Sequence, residues 1–165
     1  MTTPELSGLA VEEVDQAEAE RMAATLFRKS FGDALPSFPR HFVLRAPDVV
    51  AEALGYVHFT AFDNAYLGGG LCVDAVAFRR LDARLRASIR RHGGLGEILL
   101  RQAVDRLEGA DAAFGYAGDR RALAIDLRVG FEHTDRQHVI VRWLRPLAES
   151  QRRELIDRVA AHGPF

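Results

Sequence analysis

Apolar and polar positions along this chain switch repeatedly between a period near two and a period near 3.6, the marks of strands and helices. Leu9–Val14 reads as a short strand. Asp15 follows as an N-cap, with Glu18 three positions on completing a capping-box pattern. Ala19, Met22, Ala23, Leu26 and Phe27 then form a helical stripe that Gly32 and Asp33 end. Pro36–Pro39 reads as a loop, His41–Ala46 as a strand, and Pro47-Asp48 as a turn. Leu54–Ala61, rich in aromatic and β-branched residues, predicts another strand. The turn signal Asp63-Asn64 leads into a strand over Tyr66–Asp74, interrupted by Gly68, Gly69 and Gly70. Those glycines predict a bulge that bends the sheet, or space for an incoming group.

The second half is richer in helices. Leu81, Leu85 and Ile89 recur every fourth residue within Phe78–His92, which predicts one short amphipathic helix. Its polar face carries Arg79, Arg80, Arg84, Arg86, Arg90 and Arg91. After Gly93-Gly94-Leu95-Gly96, the residues Leu95, Ile98, Leu99, Ala103 and Leu107 make a second helical stripe. A strand over Ala112–Tyr116, a helix over Arg120–Val129 stopped by Gly130, and strands over Phe131–Thr134 and His138–Trp143 complete the pattern. A last helix spans about Ala148–Ala161 before Gly163-Pro164. The order is mixed α/β with an antiparallel bias early in the chain.

Composition narrows the function classes. The chain has 165 residues, enough for one domain with a sizeable core. Basic and acidic residues balance at 22 and 23, so the excess of positive charge expected of a nucleic-acid binder is missing. No apolar run is long enough to span a membrane. The N-terminus lacks the basic-then-apolar pattern of a secretory signal, so the cytosol is the expected compartment. The single cysteine, Cys72, excludes an internal disulfide framework and a cysteine-cluster zinc site, and it reads as a buried structural thiol. His133 and His138 flank a turn with no carboxylate or thiol cluster beside them, so no metal is expected.

A glycine-rich turn opening a helix is an anion site by its backbone, because unpaired N–H groups point outward and the helix dipole adds positive charge. Here no Lys-Ser/Thr pair follows, as a nucleotide P-loop requires, and no third glycine stands at the dinucleotide offset. Instead Arg91-His92-Gly93-Gly94-Leu95-Gly96 resembles the R/Q-x-x-G-x-G/A signature of the GNAT superfamily of acyl-CoA-dependent N-acetyltransferases. The run from Asp119 through Ala122 and Asp126 to Gly130-Phe131-Glu132 is similar to that family's N-x-x-A-x-x-x-Y-x-x-x-G-F-E segment. The two matches stand in the family's order, and the resemblance covers roughly residues 9–144. Three departures stand out. About a dozen extra residues separate Leu71-Cys72-Val73-Asp74 from the glycine turn, so Gly94-Leu95-Gly96 is the firmer part of the first match. Asp119 replaces an asparagine. Asp126 replaces the tyrosine that protonates the leaving thiolate.

The resemblance implies a single α/β (α+β) domain over residues 1–165, with residues 148–162 as a C-terminal helix extension. Its central mixed, mostly antiparallel sheet would be flanked by helices, with a parallel pair at the CoA cleft. It implies transfer of an acetyl or related acyl group from acetyl-CoA, the co-substrate, to an amine acceptor by direct attack. Arg91, His92, Gly93, Gly94, Leu95 and Gly96 would hold the CoA phosphates, Leu71 and Val73 the pantetheine arm, and Asp119 would serve the cofactor side. An amide near Val73 or Asp74 would stabilise the oxyanion. The candidate acids and bases are Asp126, Tyr116 and Asp74. Asp126 lies on a largely apolar helix face, where its pKa would rise unless Arg121 or Arg128 pairs with it. Tyr116 ends a strand at the cleft, and Asp74 ends another. His58 is a candidate proton relay or acceptor-pocket residue. Two other readings stay open: a non-catalytic acyl-CoA-binding protein, and an interaction module. In the second, Leu155, Ile156, Val159 and Ala160 pack within the chain or across a homodimer.

Overall fold

Capping aspartates set where most of the helices begin. In the computed structural model, which describes residues 6–37, 39–46 and 52–165, strand β1 (Ala10–Val14) leads into helix α1 (Gln16–Phe31). Asp15 accepts the Glu18 N–H at 2.9 Å, and Gly32 closes the helix in the left-handed region at φ 79°. Strands β2 (Arg40–Arg45), β3 (Gly55–Phe62) and β4 (Ala65–Val73) follow as an antiparallel run. Then come helices α2 (Ala75–Arg80), α3 (Ala83–Arg91) and α4 (Leu95–Val104), strand β5 (Ala112–Tyr116) and helix α5 (Arg120–Val129). Short strand β6 (Glu132–His133), strand β7 (Val139–Trp143) and helix α6 (Glu149–His162) end the chain.

The strands form one seven-stranded sheet in the order β1-β2-β3-β4-β5-β7-β6. Every pairing is antiparallel except β4 with β5. The mixed, mostly antiparallel sheet with one parallel pair is the architecture expected from the sequence. The expected turn at Pro47-Asp48 lies outside the described residues.

Two helical layers cover the sheet. Met22, Ala23, Leu26 and Phe27 of α1 pack on Val43, Tyr56 and Cys72. Leu155 and Val159 of α6 pack on Leu67, Phe114 and Val141. Strand alternation puts both sets on the same face of the sheet. Leu85 and Ile89 of α3, Leu99 and Ala103 of α4 and Val129 of α5 bury the other face, with Phe42, Leu44 and Phe59. Each fully buried large side chain is worth roughly 1.5–3 kcal/mol, so these layers hold the sheet rigidly under the site. The α6 stripe that suggested a dimer contact is thus largely taken up by the chain's own sheet.

One expectation is corrected. The arginine-rich stretch is two helices, α2 and α3, because Leu81 leaves helical geometry and Asp82 starts a new helix by accepting the Leu85 N–H at 2.9 Å. The insert is a packed part of the core. Leu81 is 1% exposed and Ile89 fully buried, and Arg86 donates to the carbonyls of Arg79 and Leu81 at 2.9 and 2.6 Å. These bonds satisfy acceptors at the end of α2 that the helix leaves without partners.

Candidate active site

The site follows from the way β4 and β5 part. They pair from Ala65↔Ala112 to Gly68↔Gly115 and no further, although β4 runs on to Val73. The cause is a bulge. Tyr56 pairs with Cys72 but His58 pairs with Gly69, so Val57 alone faces both Gly70 and Leu71. Gly70 sits at φ 66° in that bulge, where a side chain would meet the rings of His58 and Phe27 at 2.7 Å. Gly68 and Gly69 lie under the rings of Phe59 and His58 in the same way. The three glycines lie at the bulge that bends the strand, packed close to rings, and all three also line the cleft that opens between the parted strands.

Beyond Gly68 the free edge of β4 turns its polar groups into the gap. The Asp74 N–H donates to the Leu54 carbonyl at 2.8 Å, which makes Val73 and Gly55 a non-hydrogen-bonded pair. The Val73 N–H and C=O consequently point away from β3, towards the gap. Of the two amides expected near the oxyanion, Asp74's is spent and Val73's faces the opening. The Asp74 carboxylate is also spent, since it caps α2 by accepting the N–H groups of Val76 and Ala77 at 2.9 Å each. Asp74 thus caps α2 through one carboxylate oxygen and is not among the residues that line the cleft.

The cleft between the parted strands has a volume of ≈ 510 Å³. It brings together Leu71, Tyr116, Asp119 and Asp126 of the residues singled out by sequence. Asp119 caps α5, accepting from the amides of Arg121 and Ala122 at 2.8 and 2.9 Å. Asp126, two turns on, has no ion pair with either arginine considered for it. Arg128 instead donates to Glu97 at 2.7 Å. Burial, and secondarily the charge of Asp119, push the Asp126 carboxyl up from 3.8 to about 6. The Tyr116 ring packs 5.5 Å from that of His138 and 5.8 Å from that of Phe165.

His58 also lines the cleft, with its Nδ1 buried and lacking any hydrogen bond. Burial, then the neighbouring His41, push it down to about 4, so the ring is neutral at physiological pH. Phe27, Phe31, Asp33 and Phe165, which the sequence did not mark out, complete the wall. Phe31 stands four residues after Phe27, in register with the buried stripe of α1, yet is 47% exposed. Periodicity cannot separate such a residue from the core. Cys72 lies buried beneath α1, its thiol pushed up to about 11 by burial, as expected of a structural cysteine.

The glycine turn lies outside this cleft, at the start of α4, and its amides divide into two sets. His92, Gly93 and Gly94 donate to carbonyls of α3, with Gly94 reaching Ile89 at 2.9 Å. Gly93 and Gly94 hold φ of 90° and 95° to do so, a region costly for any other residue. These amides close α3 and are not available to an anion, contrary to the expectation for Gly93 and Gly94. The N–H groups of Leu95, Gly96 and Glu97 have no hydrogen-bond partner among the described residues, and no side chain caps α4. Gly96 lets Ile125 of α5 come within 3.0 Å of where a Cβ would be. Glu97 folds against Gly93 and is held by Arg101 at 2.8 Å and Arg128 at 2.7 Å. The three side chains together leave one net positive charge beside the free amides. Arg91 is exposed at the same turn. Among the described residues no group of three or more His, Cys, Asp or Glu could hold a metal ion, and no helix is long and apolar enough to cross a membrane.

No family model and no curated protein sequence matches the chain. Solved structures do. The chain is similar to the ribosomal-protein-S18-alanine N-acetyltransferase of Escherichia coli at 14% identity, over 86% of this chain and 97% of that one, with a TM-score of 0.58. It is similar to a GNAT family acetyltransferase from Brucella melitensis in complex with acetyl-CoA, at 17% identity, over 85% and 90% of the two chains, with a TM-score of 0.53. It is also similar to an N-acetyltransferase of Campylobacter jejuni in complex with acetyl-CoA, at 14% identity, over 83% and 99%, with a TM-score of 0.51. The fold of this chain is the GNAT fold.

Proposed function

We propose that this protein transfers an acetyl or related acyl group from acetyl-CoA to an amine. The observation that carries the reading is the parting of β4 and β5. It opens a slot with a free strand edge at Leu71–Val73 on one side and a desolvated, unpaired carboxylate at Asp126 on the other. The free amides of Leu95, Gly96 and Glu97 hold the CoA pyrophosphate, with the α4 dipole behind them. Gly93, Gly94 and His92 set the angle of that turn. Arg91 adds charge for a phosphate, and Asp119 holds the start of α5 beside the slot. The pantetheine amides pair with the edge at Leu71 and Val73.

In the reaction the amine nitrogen attacks the thioester carbonyl carbon, and its C–N bond forms as the oxygen takes negative charge. The Val73 N–H stabilises that oxygen. Asp126, largely ionised at pH 7, takes the proton the nitrogen sheds, directly or through water. The C–S bond then breaks, and Asp126 returns the proton to the CoA sulfur. Tyr116 lines the acceptor side. Tyr116 is the second candidate proton donor on the cleft's lining, and Tyr116→Phe separates the two roles.

A thermal-unfolding titration with CoA and acetyl-CoA tests the binding half. At about 100 times the dissociation constant a ligand adds ~2.7 kcal/mol, a rise of several degrees in Tm. No shift in a folded sample overturns the reading. Binding without thiol release across an amine panel replaces it with a non-catalytic acyl-CoA-binding protein.

A further inference from the structure

The wall of the cleft opposite the slot has a chemistry of its own. Seven Phe and Tyr residues line the cleft, among them Phe27, Phe31, Tyr116 and Phe165. These four are paired, Phe27 with Phe31 at 4.8 Å between centroids and Tyr116 with Phe165 at 5.8 Å. Phe31 is the most exposed large apolar side chain among the described residues and stands at the cleft. The ionisable side chains that line the cleft are Asp33, Asp119 and Asp126, together with His58 and Tyr116, and none is a lysine or arginine. Asp119 is committed to capping α5. Among the described residues Asp33 and Asp126 have no ion pair. Two carboxylates, one exposed at Asp33 and one half-buried at Asp126, line the same cleft as these rings with no cationic side chain in that lining, which suits a positively charged group.

Resting on the acetyltransferase reading, we infer that the acceptor is a small primary amine carried on an aromatic body, bound as its cation. Its ring lies among Phe27, Phe31, Tyr116 and Phe165, and its ammonium is drawn by Asp33 towards Asp126. Ring faces attract both an aromatic body and a nearby cation. The carboxylates repel any acceptor that carries its own anionic group. A long aliphatic polyamine satisfies the charge and leaves the rings without a partner. The bound cation loses one proton to solvent before it attacks; the second, shed as the C–N bond forms, goes to Asp126 and from there to the CoA sulfur.

The test measures CoA-thiol release from acetyl-CoA with 2-phenylethylamine, spermidine, glutamate and a short unblocked peptide. Expected is a kcat/KM for 2-phenylethylamine at least 10-fold above spermidine and the peptide, and about 100-fold above glutamate. Phe31→Ala should raise the KM for 2-phenylethylamine at least 5-fold while the KM for acetyl-CoA moves less than 2-fold. Asp33→Asn should do the same. Equal or better turnover of spermidine, the peptide or glutamate overturns the inference and leaves the acetyltransferase reading standing. So does an unmoved KM in both variants. If CoA binds and no amine is turned over, calorimetry of 2-phenylethylamine into the CoA complex decides. Binding weakened by Phe31→Ala supports the inference, and the absence of binding overturns it. A protein that binds no CoA removes both.

Discussion

His41 and His58 face each other across β2 and β3, so both rings lie on the α1 face of the sheet. The His41 ring is 2% exposed and bonded at both nitrogens. Its Nε2–H donates to Gln16 Oε1 at 2.8 Å, and the Tyr56 hydroxyl donates to its Nδ1 at 2.7 Å. Gln16 Nε2 is in turn held by Glu20 at 2.9 Å, which fixes the amide's orientation and hence the tautomer. His58 has no such chain, and its buried Nδ1 bonds to nothing. Aspartates divide along the same line. Asp15, Asp74, Asp82 and Asp119 each accept backbone amides at a helix start, whereas Asp126 accepts none. Around His41 the polar groups thus satisfy one another, a finished half, whereas at the splay His58 Nδ1 and Asp126 lack partners among the described residues, an open half. Buried polar groups left without partners cost stability; Arg45 Nε, Arg142 Nη1 and Arg152 Nε carry such a cost elsewhere, and among the cleft's lining His58 does.

The largest expected effect breaks the open half. Asp126→Asn should lower kcat about 100-fold or more, the range for loss of a general acid–base group. If the proposed transfer holds, kcat/KM of the unaltered protein should fall as pH drops through about 6, where Asp126 takes up a proton; a profile flat from pH 8 to 5 removes Asp126 from the mechanism. The same carboxyl makes a stability prediction of opposite sense. Its folded pKa lies above its unfolded one, so the folded state binds the proton more tightly. Asp126 therefore costs stability above about pH 6, and that cost is relieved as pH falls towards 3.8. The gap is worth on the order of 3 kcal/mol at most. Asp126→Asn should accordingly raise the urea midpoint at pH 7.5 while it removes activity.

The two histidines give the next contrast. His41→Leu strands the Tyr56 hydroxyl and the Gln16 amide in the interior and should cost about 2–3 kcal/mol in urea unfolding at pH 7.5. His58→Leu removes an unpaired buried nitrogen and should stay within about 1 kcal/mol of the parent. His58 has a folded pKa below its unfolded one. It therefore withdraws stability as pH falls from about 6.5 to about 4, the sense opposite to Asp126 over nearly the same window. Relative to the parent, His58→Leu should therefore lose less stability on mild acidification and Asp126→Asn more. Equal costs for the two leucine variants would dissolve the distinction between finished and open halves.

Backbone geometry at the glycine turn supplies a smaller effect. Gly94 holds φ 95° and ψ 172° with open space around its missing side chain. Gly94→Ala is thus penalised by conformation alone, about 1–3 kcal/mol, and should loosen the joint between α3 and α4. CoA affinity should fall along with stability. A variant that loses stability and keeps affinity would mean that the free amides of α4 do not depend on that joint.

How much of this was legible in the sequence differs between the same two halves. Strand and helix limits came through because caps and stripes are local: Asp15 and Gly32 bracket α1, and Gly130 ends α5. The break at Leu81–Asp82 was missed because Leu81, Leu85 and Ile89 continue one helical period across it, and only the capping bond of Asp82 shows that the chain restarts. Asp126 was visible through its place in a spaced motif. Its lack of a partner was not, because Arg121 and Arg128 are near in sequence and only packing of α4 against α5 sends Arg128 to Glu97. The aromatic wall was invisible for a similar reason. Phe31 and Phe165 are remote in the chain, and although the three glycines predict a bulge, they do not say which rings meet at the cleft it opens.

The smallest effect concerns the arginine-rich insert, which belongs structurally to the finished half and electrically to the open one. Arg86 is occupied by carbonyls, and the Arg90 guanidinium lies 5.4 Å over the Phe78 ring. Arg90→Gln should therefore change stability by no more than about 0.5–1 kcal/mol, the worth of such a contact at an exposed site. Arg91 is exposed at the turn itself. Arg91→Gln should weaken CoA binding a few-fold at low salt, and the difference from the parent should shrink towards 1 M salt, where the screening length is about 3 Å. A loss of affinity that ignores salt would assign Arg91 a direct, desolvated contact with the phosphate. No loss at any salt would leave the amides of Leu95, Gly96 and Glu97 and the charge of the Glu97–Arg101–Arg128 cluster as the whole of the phosphate site.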